Sequence, residues 1–162
     1  MRTEQIEDIN AISAVTIAAF KDHPHSNQTE QHIVAGLRDN QALSISLVAV
    51  YENNIVGHIA FSKVNINNQF CHWYGLAPVS VLPEFQHKGV GSKLINQGLS
   101  QLKQQGAQGC VLLGEPEYYG RFGFKAYAEL EYPGVPSEYF LTLPFTEQVP
   151  CGLVQYHKVF SS

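Results

Sequence analysis

The sequence predicts an α/β fold of the α+β kind, with a mixed, mostly antiparallel sheet and about four helices. Three observations carry this. Strand-like alternation over 43–51, 55–64 and 69–82 is broken by short turns rich in asparagine, the pattern of consecutive antiparallel strands. Residues 79–113 then read as strand, glycine loop, helix and strand, and a crossover of that kind makes a parallel pair with a right-handed connection. Finally, Gly75 and Pro78 interrupt the strand that leads into the glycine loop, so the sheet is expected to open there.

Each element has its own signal. In 6–20, Ile9, Ile12, Val15 and Ala19 form one helical stripe, with Glu7 and Asp8 in the first turn where the helix dipole favours acids. Asn27 followed by Glu30 reads as the cap of a second helix whose apolar face is Ile33, Val34 and Leu37. Residues 52–54 turn the first strand into the second, where Ile55, Ile59 and Phe61 are expected on one face and His58 on the other. Residues 65–68 turn the chain again. Val90, Leu94, Ile95, Leu99 and Leu102 set the face of a helix over 90–105, and Gly106 ends it. A short apolar strand follows at 110–113. Pro116 and Gly123 bracket a two-turn helix over 116–122, and strand-like runs remain at 139–143 and 153–160.

Composition excludes several classes. With 162 residues the chain is expected to be one domain, 1–162, and its 44% hydrophobic content against 15% charged residues supplies a packed core. A net charge of −4 with no lysine or arginine cluster gives no footprint for nucleic acid. No apolar run reaches the roughly 20 residues of a membrane span. The polar N-terminus does not resemble a signal peptide, and three widely spaced cysteines do not form a disulfide framework. A soluble, reduced, cytoplasmic protein is expected. No metal is expected either, because His23 and His25 have no partner ligands at matching spacing.

The chemistry centres on residues 79–91. Val79 and Val81 end a strand at Pro83, and Gln86, His87, Lys88, Gly89, Val90, Gly91 and Ser92 carry the chain into a helix. A strand, a glycine loop and a helix start aim free N–H groups at one spot, and such a spot favours phosphate. The Gly-x-x-x-x-Gly-Lys-Ser/Thr loop is absent, as is the three-glycine dinucleotide fingerprint. Gln86, Gly89 and Gly91 instead spell Gln-x-x-Gly-x-Gly, which resembles the acyl-CoA pyrophosphate loop of the GNAT superfamily of N-acetyltransferases. Tyr119 to Phe124, about 30 residues further on, resembles the family's Tyr-x-x-x-Gly-Phe element. The phrases at 76–86 and 113–124 look like the bacterial branch called YhbS-like predicted acetyltransferases.

That resemblance implies a GNAT acyl-CoA N-acyltransferase fold splayed between its fourth and fifth strands, with acetyl-CoA as cosubstrate. It implies transfer of the acetyl group to the amine of a small molecule or peptide, and it is compatible with a homodimer. Val79 and Val81 would offer backbone to the coenzyme's arm, and the loop residues 86–92 would hold its pyrophosphate. Tyr119 would protonate the departing thiolate, with Tyr118 as the alternative. The general base is left open among His58, His72, Glu84 and water. One family contact does not transfer: Gly114 to Pro116 stand where many members have an asparagine that helps hold the pantetheine arm. A non-catalytic acyl-CoA-binding or sensing module would keep the loop and use Tyr119 only for packing. Acceptor specificity is expected in two loops, 21–27 and 129–138, through Asp22, His23, His25, Glu129, Glu131, Tyr132 and Glu138.

Overall fold

In the computed structural model, which describes residues 1–24 and 26–161, the chain opens with β1 (Arg2–Thr3), α1 (Ile9–Phe20) and α2 (Glu30–Asp39). It continues through β2 (Ile45–Tyr51), β3 (Asn54–Ile66), β4 (Gln69–Val81), α3 (Val90–Gln104) and β5 (Gly109–Leu113). It closes with α4 (Pro116–Tyr119), β6 (Leu130–Glu131), β7 (Phe140–Pro144) and β8 (Gly152–Gln155). The main sheet has the order β1-β2-β3-β4-β5-β7, antiparallel except for β4 against β5, while β8 pairs the end of β3 and lies parallel to β6. The mixed, mostly antiparallel sheet read from the sequence is therefore present.

Helix α3 covers one face. Its Leu94, Ile95, Leu99 and Leu102 are buried against Ile45, Leu47, Ile59, Phe61 and Leu76, and each such side chain contributes about 1.5–3 kcal/mol of burial. Gly98 admits the edge of the Phe61 ring, which a β-carbon would strike, so α3 sits close on the sheet. Helices α1 and α2 cover the opposite face through Ile12 and Val34 against Val48.

Three register shifts interrupt the pairing of β2, β3 and β4, and two of them decide which residues face which layer near the loop. Ala49 pairs with Gly57 but Val50 with Ile55, so Val56 is the extra residue in β3. The bulge turns Ile55 away from Ile59 and Phe61 and onto the layer of Ile12 and Val34, correcting the single face expected for the three. In the second bulge, Ile59 pairs with Val79 and Phe61 with Leu76, leaving Ala77 and Pro78 opposite Ala60. The interruption expected at Gly75 and Pro78 is thus confined to Ala77–Pro78. Gly75 remains paired on both sides, with Ser62 and Val111, and its missing β-carbon admits the Tyr156 ring.

Other expectations shift by a few residues. The second helix is capped at Thr29, not Asn27, and Ser26 Oγ donates to Glu30 2.7 Å away, so the acid answers a residue one position upstream of the expected cap. β3 runs on to Ile66, and the turn narrows to Asn67 and Asn68, both in left-handed conformation. The two-turn helix over 116–122 is one α-helical turn followed by a 3-10 turn at Gly120–Phe122, ending on Gly123 at φ +98°. Of the run 153–160, only the part in β8 is strand, and Lys158–Ser161 forms a 3-10 turn. Among the described residues no helix is long and apolar enough to cross a membrane.

Candidate active site

The site begins where β4 and β5 part. Their pairing runs from Trp73 opposite Gly109 to Gly75 opposite Val111 and then stops. Beyond it β4 bulges, while β5 stays with β7 and Gly114 N–H donates to Tyr139 O at 3.0 Å. The other edge of β4 is still occupied, since Ser80 pairs with His58 and Leu82 N–H donates to Val56 O at 2.9 Å. Backbone groups alternate sides along an antiparallel strand, so those of Val79 and Val81 point away from β3 and into the gap. The Gln86 side-chain amide donates to Val81 O at 3.0 Å. This fixes the first residue of the loop motif against the strand and leaves the Val81 N–H facing the gap.

The loop itself is shaped by two left-handed residues, His87 at φ +64° and Gly89 at φ +86°. Gly89 is the N-cap of α3, and no side chain caps the helix there. The first N–H groups of α3 therefore have no partner within the helix and point outward. Gly89 needs glycine for its conformation. Gly91 does not: a β-carbon there would meet only the Tyr118 hydroxyl at 3.5 Å and Val81 Cγ2 at 3.7 Å, both ordinary contacts. What Gly91 keeps free is space.

A cavity of about 500 Å³ lies over this helix start. Six of the expected coenzyme residues line it: Val81, Gln86, His87, Gly89, Gly91 and Ser92. Val79 and Val90 instead pack, half-buried, on the α3 core, and the Lys88 ammonium lies 5.7 Å over the Phe85 ring. Tyr118, named from the sequence only as the alternative acid, completes the lining with Arg121 and Phe85, which were not singled out. A signal for Arg121 was available, because residues three apart on a helical turn share a face, and 118 and 121 have that spacing.

Tyr119 does not line this cavity and stands instead at the end of β5. Its ring lies against Gly114, at the end of β5, so closely that a β-carbon there would collide with it. It also meets Tyr118 edge-on, with ring centroids 4.9 Å apart. Burial, with a smaller contribution from Tyr118, pushes its phenol up to about 12, which keeps the hydroxyl protonated. The two adjacent tyrosines thus point differently: Tyr118 reaches from α4 across the cavity toward the start of α3, and Tyr119 packs at the end of β5.

None of the three side chains considered for the general base lines the cavity. His58 is fully buried and bonds Ser46 Oγ at 2.7 Å, and burial lowers its pKa to about 4. His72 is exposed near the start of β4, its ring 4.9 Å from that of Phe70, where β4 is still near its paired end. Glu84 lies in the 3-10 turn Pro83–Phe85. A second cavity, of about 540 Å³, opens beside β2, but its charged groups Glu4 and Arg38 already pair with each other at 2.9 Å. Of the two acceptor loops, 129–138 lies alongside β8 at Leu130 and Glu131, and its last turn meets the end of β5 through Tyr139. In the first loop, His25 lies outside the described residues.

Residues 1–127 match the model of the acetyltransferase (GNAT) domain. The chain is 31% identical over 157 residues to the uncharacterized N-acetyltransferase YhbS of Escherichia coli K12, covering 93% of this chain and 94% of that protein. The solved structure of YhbS from E. coli in complex with CoA superposes with a TM-score of 0.91 at 30% identity, over 99% of this chain and 91% of the other. A GNAT family acetyltransferase from Brucella melitensis in complex with acetyl-CoA gives a TM-score of 0.89 at 48% identity, over 98% and 96%. The split sheet, the Gln86–Gly91 loop at a helix start and Arg121 of the Tyr119–Phe124 element thus border one cavity in a chain that belongs to the GNAT family of acetyltransferases.

Proposed function

We propose that this acetyltransferase moves the acetyl group of acetyl-CoA to a primary amine by direct attack of the amine on the thioester. The observation that carries this reading is the outward-facing Val81 backbone beside the uncapped start of α3. An extended amide arm finds a strand edge there, and a diphosphate finds unpaired N–H groups and the positive end of a helix. The space kept by Gly91 and the left-handed Gly89 suit a close-lying phosphate. Residues 86–92 would hold the pyrophosphate, and Val79 and Val81 the arm.

Bound acetyl-CoA supplies the acetyl group as a thioester; the chain supplies the electrostatics. The Val81 N–H donates to the carbonyl oxygen as it gains charge. Tyr119 gives its proton to the departing sulfur, and a phenol held protonated by burial suits that task. His58 is sealed in the core and bonded to Ser46, which leaves His72, Glu84 or water to take the amine's proton. The acceptor approaches from the side away from the loop, where residues 21–27 and 129–138 would select it.

The test is a thermal-shift titration with acetyl-CoA followed by CoA release across an amine panel. Stabilisation together with turnover on at least one amine is the expected result. Stabilisation with no release from any small amine or peptide would favour a binding or sensing module. Alanine at Asp22, His23, Glu131 or Glu138 should raise KM for the amine at one or more positions and leave the acetyl-CoA Kd unchanged. Wild-type amine kinetics in all four would move the acceptor site elsewhere.

A further inference from the structure

The loop supplies only one wall of the cavity, and the opposite wall has its own polar chemistry. The chain has three arginines. Arg2 is paired to Asp8 at 2.6 Å, and Arg38 to Glu4 at 2.9 Å. Arg121 has no carboxylate within ion-pair distance among the described residues, and the cavity it faces has no acidic residue in its lining.

Its guanidinium is nevertheless held in place. Arg121 Nε donates to the Tyr118 carbonyl at 3.0 Å, and the guanidinium carbon lies 4.5 Å over the Tyr118 ring. Stacking and one hydrogen bond fix the plane of the fork, so less side-chain entropy is lost when its remaining N–H groups meet a ligand. The ring on which it stacks carries its hydroxyl to within 3.5 Å of the β-carbon position of Gly91, over the start of α3. A positioned hydroxyl and an unpaired cation therefore face the loop across the cavity.

We propose that Tyr118 and Arg121 form the second half of the anion site and clamp the coenzyme's pyrophosphate from the side opposite the loop. Arg121 donates its free N–H groups to phosphate oxygens, and the Tyr118 hydroxyl donates to the same group. This inference rests on the acetyl-CoA reading and extends it to residues that the loop motif does not contain. It also divides the tyrosine pair, with Tyr118 serving binding and Tyr119 serving chemistry.

The experiment is isothermal titration of the full chain and its R121Q, R121K and Y118F variants with CoA and with 3′-dephospho-CoA, alongside the melting temperature of each apo protein. R121Q should weaken both ligands by the same factor, roughly 10–100-fold, the worth of a charge-assisted hydrogen bond. R121K should fall between wild type and R121Q, because an ammonium keeps the charge but loses the fork. Y118F should lose roughly 2–10-fold for both ligands. Apo melting temperatures should hold, since Arg121 is exposed.

The two readings fail differently. If wild type binds neither ligand, the acetyl-CoA reading falls and the clamp falls with it. If wild type binds both and R121Q and Y118F bind equally well, the clamp alone is wrong. If the R121Q loss disappears with 3′-dephospho-CoA, Arg121 meets the 3′-phosphate and the pyrophosphate assignment is overturned.

Discussion

At the scale of single residues, the informative feature is a pair of neighbouring tyrosines with different surroundings. Tyr119 is packed against Gly114 with its phenol pushed up to about 12, whereas Tyr118 lines the cavity and faces the loop from α4. Tyr119→Phe should therefore lower kcat by roughly 10²–10⁴, the usual worth of a positioned acid, with Kd for acetyl-CoA nearly unchanged. Tyr118→Phe should do the reverse, changing Kd more than kcat. Steady-state kinetics and titration on the two variants separate the roles, and the opposite ranking would show that the motif is aligned one residue off. The pH dependence has a definite sign. An acid with a raised pKa stays protonated through neutral pH, so the wild-type kcat should not fall on the alkaline side until well above pH 10. Of this site, the loop residues were legible because their spacing is a motif. For Arg121 the spacing from Tyr118 gave a shared face, but nothing in a sequence tells which of three arginines will lack a carboxylate after folding.

At the scale of elements, the start of α3 is the piece on which binding depends. Gly91→Glu is a clean probe of it, since the new β-carbon meets only ordinary contacts, and position 91 is not among the glycines with positive φ. The apo melting temperature should stay within a few degrees of wild type. The acetyl-CoA shift should vanish, because the added carboxylate puts bulk and like charge where a phosphate would sit. A variant that still binds as tightly as wild type would remove the loop from the site. Gly98→Ala is the contrasting probe on the same helix. Its β-carbon would strike the Phe61 ring, and overpacking of this kind costs about 1–3 kcal/mol, read as a lower urea midpoint with the loop intact. The helices and the long strands were legible from period alone. The bulges were not: a single extra residue at Val56, or at Ala77–Pro78, leaves the composition unchanged yet reverses every later side chain. The second bulge is why Val79 packs toward α3 while Ser80 is buried on the opposite face of the sheet. Strands of two residues, such as β1 and β6, are too short to leave a periodic signal.

At the scale of the whole molecule, a buried polar chain ties four segments together and sets the acid limit of the fold. Glu4 follows β1 and accepts two hydrogen bonds from Arg38 of α2, each 2.9 Å. It also accepts from Ser46 Oγ of β2, which in turn bonds His58 Nε2 of β3 at 2.7 Å. The Ser46 hydroxyl has one proton, and with that proton on Glu4 it must accept from the imidazole, so Nε2 carries the hydrogen and Nδ1 has no partner among the described residues. A neutral histidine satisfies this chain, whereas a second proton on the ring would lie in the core unpaired. Burial accordingly lowers the His58 pKa to about 4, with Glu4 opposing and Arg38 assisting. The unfolded chain takes up that proton near pH ~6.5 and the folded one only near 4, so the unfolded state binds more protons in between. Stability is therefore full above about pH 6.5 and falls as the pH drops toward 4, by on the order of 3 kcal/mol. Glu4 adds to the loss below its ordinary range: burial opposes its charge, but the bonds from Arg38 and Ser46 outweigh that and hold its pKa down. Urea unfolding of wild type at pH 7.5, 5.5 and 4.5 should show this decline. His58→Gln keeps a side-chain amide N–H toward Ser46 and removes the titration, so it should be less stable at pH 7.5 and show a flatter decline from 6.5 to 4. An equal slope in both proteins would mean that another group sets the acid limit.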